Sequence, residues 1–215
     1  MIEVDYFTDV LCVWAFIGEK RLSEVKRNMS GEVDVRLHFL ANFAACQQKI
    51  HYGWVGRGGF SGYAKHVDGV AQQFNIKLHS KTWSSVQPTT SMLAHAIIKS
   101  VEKTESAAKA AEFCTQLRNG FFLEGMDISQ LKVLQGIAES LGIAWPGVME
   151  YFNTGSALAD LQLDFAMAVQ YQVSVSPAWV FNEGRQRLIG NVGYRVIEAN
   201  LMELIEQKTL PHAWC

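Results

Sequence analysis

Residues 9–18 read Asp-Val-Leu-Cys-Val-Trp-Ala-Phe-Ile-Gly and place a thiol two positions before an indole. A thiol attacks as its thiolate, and two cysteines spaced Cys-x-x-Cys can exchange with a disulfide and then close their own. Cys12 stands at the first position of that spacing, and Ala15 stands at the second. Exchange at Cys12 therefore stops at a mixed disulfide, which an outside thiol has to release. The other cysteines, Cys46, Cys114 and Cys215, are far apart and form no metal-binding pair. Cys114, beside Phe113, reads as core, and Cys215 in the terminal Pro-His-Ala-Trp-Cys has the longest reach as a resolving thiol. The six histidines are scattered without a His-Glu-x-x-His arrangement, so no metal is expected.

The elements that must hold Cys12 follow from periodicity. Ile2, Val4 and Tyr6 alternate with Glu3 and Asp5, the pattern of a strand. After Cys12, Leu22, Val25 and Met29 recur at helical spacing, with basic residues towards the end. Val33, Val35, Leu37 and Phe39 then alternate with Asp34, Arg36 and His38 in a second strand. A crossover helix between two strands implies that they are parallel. From about residue 44 to 170 helical patterns dominate, at 62–76, 89–103, 104–122, 127–142, 145–153 and 156–172. Ser129 is placed to cap one of these helices and Gly142 to stop it. Beyond Pro177 two strands return, at 178–182 and 185–191, joined by a turn at Asn182-Glu183-Gly184-Arg185, and a helix over 195–207 closes the chain.

These elements predict one α/β sheet formed by the two ends of the chain, with residues 1–45 and 171–215 making one domain and residues 46–170 an inserted helical domain. Half of the 215 residues are hydrophobic (49%), enough for a substantial core. Nineteen basic against 21 acidic residues give no electrostatic reason to expect nucleic acid or an anionic membrane as partner. No apolar run reaches the roughly 18 residues that span a bilayer. The acidic start, with Glu3 and Asp5, lacks the pattern of a secretory leader, so a cytoplasmic chain is expected.

The stretch DVLCVWAFIGEKRL resembles the DVxCPWCYIGKxxL segment of cytoplasmic DsbA-family oxidoreductases, relatives of 2-hydroxychromene-2-carboxylate isomerases and kappa-class glutathione transferases. The segments GWVGRGGFSGYAKHV, LRNGFFLEGMDIS and VSVSPAWVFN resemble further family segments, in order, from residue 4 to about residue 200. The resemblance implies a thioredoxin-like fold with a long helical insertion, DsbA-like. Two departures matter: Val13 replaces the family's proline, and Ala15 replaces its second cysteine. The isomerase and transferase relatives carry serine where Cys12 stands, so this chain lies between the groups.

The resemblance places Cys12 as nucleophile at the turn into the first helix, and makes Ser176–Pro177 a cis bond facing it, whose backbone pairs with glutathione or an extended peptide. A thiolate over a helix N-terminus is stabilised, and such thiols ionise between roughly pH 3.5 and 7.5. The plainer alternative is that Cys12 is a small buried hydrophobe. Trp14 either lines the substrate cleft or is a half-exposed helix aromatic. His95 either faces a cleft between domains and moves a proton or is a satisfied helix histidine. Asp9 and Asp5 lie near the turn, where a carboxylate would raise the thiol's pKa. GRGGFSG at 56–62 follows no predicted strand and reads as an ordinary loop. The leading functional expectation is a monothiol thiol-disulfide oxidoreductase, with glutathione as co-substrate and a small thiol or a disulfide-containing peptide as partner. The resemblance also allows a homodimer. A glutathione-dependent isomerase or transferase and a catalytically silent peptide-binding module are the alternatives.

Overall fold

Residues 2–8 are built to lie at the centre of a sheet: Val4, Tyr6, Phe7 and Thr8 are all buried, so side chains on both faces are covered. The structure is a computed structural model and describes residues 1–209, with side chains through residue 206. Strand β1 (Ile2–Thr8) leads to helix α1 (Val13–Asn28) and back to β2 (Val33–Phe39), which pairs parallel to β1 with Ile2 opposite Val33. Six helices follow, α2 (Gly59–Gln72), α3 (Met92–Thr104), α4 (Ala107–Glu124), α5 (Leu131–Ser140), α6 (Trp145–Asn153) and α7 (Ser156–Gln170). Strands β3 (Ala178–Phe181) and β4 (Gln186–Ile189) and helix α8 (Tyr194–Thr209) complete the order, and the sheet runs β2-β1-β3-β4. β3 is antiparallel to both neighbours.

Alternation along the central strands sorts the core. Val4, Tyr6 and Phe181 face Leu22 and Val25 of α1 and Ile197 and Leu201 of α8. Phe7 and Val180 face the opposite side, against Ala168 of α7. The third and largest cluster joins the residues around Cys12, Phe16 among them, to Trp83, Phe113, Phe121 and Phe122 of the helical segment. The helices therefore share a core with the start of α1.

The open edge of β2 is closed by charge. Ile2 N–H bonds Glu32 O and Leu40 N–H bonds Thr8 O, so even-numbered residues of β2 face β1 and odd-numbered ones face outward. The Phe39 N–H donates to Asp164 Oδ2 at 2.9 Å, and Lys99 Nζ donates to Leu37 O at 3.2 Å. Lys99 and Asp164 pair at 3.1 Å, and His38 sits between Asp164 (2.8 Å) and Asp5 (2.9 Å). Burial works against the charge on His38, but the two carboxylates outweigh it and raise its pKa above the usual histidine value. This network of α3, α7, β1 and β2 satisfies backbone groups that an edge strand leaves open.

Two expectations are corrected. Ser129 does not cap α5: Gln130 precedes the helix without a side-chain cap, and the Ser129 hydroxyl donates to Asp127 (2.6 Å) and accepts from the Thr89 N–H (3.2 Å). The glycine-rich stretch is more than a loop, since α2 begins at Gly59 and Phe60 is already buried. Gly62 lies inside that helix, where a Cβ would stand 1.7 Å from Arg57 O. Finally, a π-helical turn at Gln47–Tyr52 and a 3-10 turn at Val55–Arg57 occupy a segment with no clear periodicity.

Candidate active site

Cys12 occupies the N-cap of α1, with extended backbone (φ −82°, ψ 117°), and its N–H bonds Asp9 O at 3.1 Å. The chain turns there because strand β1 ends at Thr8 and Asp9 carboxylate oxygen Oδ1 holds the Leu11 N–H at 3.0 Å. The sulfur reaches across to the loop before β3. Cys12 Sγ–H donates to Ser176 O at 3.2 Å, and the Ser176–Pro177 bond is cis. The Ser176 hydroxyl accepts from the Asp9 N–H at 2.9 Å, so turn and loop are tied twice.

The activated thiolate expected from position alone is corrected by burial. Cys12 is only 7% exposed. Burial is the main cause pushing the thiol pKa above its ordinary value, and the charge of Asp9 adds to it. The N–H groups of Ala15 and Trp14 pull the other way, as a helix N-terminus should, and do not overcome it. At neutral pH the sulfur is a thiol that donates to a carbonyl.

A cavity of about 600 Å³ opens beside this sulfur. Cys12, Trp14 and Ser176 line it, together with Asn42, Lys49 and His66, and Tyr63, Val175 and Asn191 form further parts of its walls. Trp14 is half-buried and packs edge-on to Phe74, with ring centroids 6.1 Å apart. Pro177 does not line the cavity: its ring lies 3.9 Å from where a Cβ on Gly18 would stand. Sequence reading missed Asn42, Lys49, Tyr63 and His66. The one available signal was in the stretch GYAKHV, where Tyr63 and His66 are three apart and share a face of α2.

Other candidates fall elsewhere. His95 is fully buried, and its Nε2 accepts the Val10 N–H at 3.1 Å. Burial, with Lys99 nearby, lowers its pKa to about 3, so it stays neutral and lies outside the cavity. Asp5 is engaged by His38. Cys46 and Cys114 are buried free thiols, each pushed up to about 12 by burial. Neither lines the cavity. Cys215 lies outside the described residues. A second cavity of about 560 Å³, between α1, β2 and α4, lies away from Cys12. Its carboxylates Glu19, Asp34, Glu102 and Glu112 are paired with Arg118, Arg36, Lys99 and Lys109.

A parallel β-α-β unit, an antiparallel hairpin and a cysteine at the first helix facing a cis-proline loop define a thioredoxin-fold protein carrying a helical segment. Residues 3–202 match the model of the DSBA-like thioredoxin domain, and the chain belongs to that family. Among solved structures it is similar to the cytosolic disulfide reductase DsbM from Pseudomonas aeruginosa, with 19% identity and a TM-score of 0.71 over 94% of this chain and 100% of that one. It is also similar to a 2-hydroxychromene-2-carboxylate isomerase, with 15% identity and a TM-score of 0.67 over 99% and 100% of the two chains. The ClpXP adapter protein SpxH of Bacillus subtilis is 21% identical over 217 residues, covering 98% of this chain and 70% of that protein. Among the described residues no helix is long and apolar enough to cross a membrane.

Proposed function

We propose that this chain is a cytoplasmic monothiol oxidoreductase in which Cys12 exchanges disulfides with glutathione. The observation that carries the reading is the cavity beside Cys12: Lys49 and His66 are its basic side chains, and among the described residues no carboxylate lines it. Such a wall favours an anionic thiol, and glutathione carries two carboxylates. Ser176, presented by its cis bond to Pro177, places the substrate backbone, and Trp14 shapes the pocket.

The chemistry balances without a second protein thiol. Cys12 loses its proton, its sulfur attacks one sulfur of a disulfide, and the S–S bond breaks to release one thiolate. Glutathione then attacks the mixed disulfide, frees Cys12, and a second glutathione reduces the remaining substrate half. Overall one disulfide is reduced to two thiols and two glutathiones are oxidised to glutathione disulfide. Incubation with glutathione disulfide followed by intact-mass analysis tests this. One glutathionyl adduct, on Cys12 and absent from Cys12→Ser, is expected. No adduct at mildly alkaline pH would refute it.

A second reading draws on the raised thiol pKa, which suits a pocket that binds an extended peptide without turning it over. The similarity to a protein named as an adapter is in keeping with it. Retention of peptide binding in Cys12→Ser, with no adduct in the wild type, would select this reading. Isomerase or transferase activity that survives Cys12→Ser would instead select the glutathione-dependent isomerase or transferase.

A further inference from the structure

We propose that Asp9 is a positioning residue for Cys12: its buried charge locks the segments around the sulfur and at the same time opposes the sulfur's ionisation. The carboxylate is fully buried, and three donors from three segments converge on it. Oδ1 accepts the Leu11 N–H (3.0 Å) from the turn, and Oδ2 accepts the Phe43 N–H (2.9 Å) from the segment after β2. Oδ2 also accepts the Ser91 hydroxyl (2.9 Å) from the start of α3. The Asp9 main chain adds the bonds to Cys12 N–H and Ser176 Oγ already described. One residue thereby fixes the nucleophile turn, the loop that faces the sulfur and the entrance of the helical segment.

Among the described residues the same charge has no unpaired cation to offset it. His95 Nε2 stands 3.7 Å from Oδ1, but its lone pair is taken by the Val10 N–H and it carries no charge. Arg118 on α4 is the cation that helps Asp9 ionise, and it is already paired with Glu19. The remaining titratable groups that feel Asp9 are Cys12, Cys46, Cys114 and Tyr63, and each is made harder to ionise by it. Burial raises the Asp9 pKa to about 6, so the carboxylate is charged throughout the range in which Cys12 titrates. Leu11, Phe43 and Ser91 each donate to its oxygens, so the carboxylate ties the turn, the segment after β2 and the start of α3 together.

The test is alkylation of Cys12 by iodoacetamide as a function of pH, read by mass in wild type and Asp9→Asn. It involves no glutathione, so its outcome is independent of whether the mixed disulfide forms. Removing the charge should move the midpoint down by about one pH unit, the size of shift that one nearby charge produces. A role confined to holding the turn would change the rate alike at every pH and leave the midpoint in place. An unchanged or raised midpoint in folded Asp9→Asn overturns the proposal. Should Asp9→Asn fail to fold, Ser91→Ala replaces it. Losing one donor raises the Asp9 pKa, so Cys12 should react faster than wild type just above pH 6 and equally at high pH, while Ser91→Thr behaves as wild type. Equal rates in Ser91→Ala and wild type near pH 6 would overturn it as well.

Discussion

Replacing Asp164 with alanine should cost about 3–4 kcal/mol of folding stability. Asp164 is 3% exposed, and its carboxylate meets Lys99, His38 and the Phe39 N–H. Breaking a buried ion pair by deleting one partner costs about 3–5 kcal/mol, and a buried N–H left without an acceptor adds about 1–3 kcal/mol. Two contacts soften the loss: Lys99 keeps Glu102 at 3.1 Å, and His38 keeps Asp5. The lower part of the range follows, still about a fifth to four fifths of a typical domain's 5–15 kcal/mol. Urea unfolding at neutral pH measures it through the midpoint, with the slope checked for constancy. The pH dependence supplies a second signature. His38 has its folded pKa raised, so its contribution is fully present below the unfolded value of 6.5 and is lost as pH rises through the folded value. Wild-type stability should therefore fall over that window, and the fall should be shallower in Asp164→Ala. A loss under about 1 kcal/mol with an unchanged slope would refute the claim that this network seals the edge of β2.

Three further outcomes follow from single positions. Wild-type Cys12 should alkylate slowly at pH 7, since burial raises its pKa above the ordinary thiol value and keeps the reactive thiolate scarce there. A rate plateau reached below pH 7 would contradict that. Lys49→Gln should weaken glutathione binding, measured by calorimetry, by about tenfold at low salt and by less at high salt, whereas an unchanged, salt-independent affinity would contradict the basic wall. Gly184→Ala should destabilise by more than about 1 kcal/mol in urea, because its φ is +91° and a Cβ would lie 2.6 Å from the Tyr171 ring. Wild-type stability in that variant would mean the turn relaxes freely.

Elements with strong periodicity were legible in the sequence. Ile2, Val4 and Tyr6, and Val33 through Phe39, became the parallel pair, and α3, α4 and α7 formed within a few residues of their predicted spans. The segment from Gln47 to Arg57 was not legible, because short π and 3-10 turns show no long apolar stripe. Ser129 failed as a cap because its hydroxyl is taken by its near neighbour Asp127 and by Thr89, which tertiary folding brings in. At the site, the position of Cys12 on the helix N-terminus could be read, but its burial could not. Sequence shows which amides a thiol will sit over and says little about how much protein will cover it. For the same reason Lys49 and His66 went unnoticed. They reach the cavity from a turn and a helix distant in sequence, and neither belongs to a motif around Cys12.

A crystal structure of the protein after treatment with glutathione disulfide tests the central claim most directly. A disulfide between Cys12 Sγ and the glutathione sulfur is expected, with the tripeptide in the cavity beside Ser176 and its carboxylates towards Lys49 and His66. A free Cys12 thiol with an empty cavity, or an adduct on another cysteine, would contradict it.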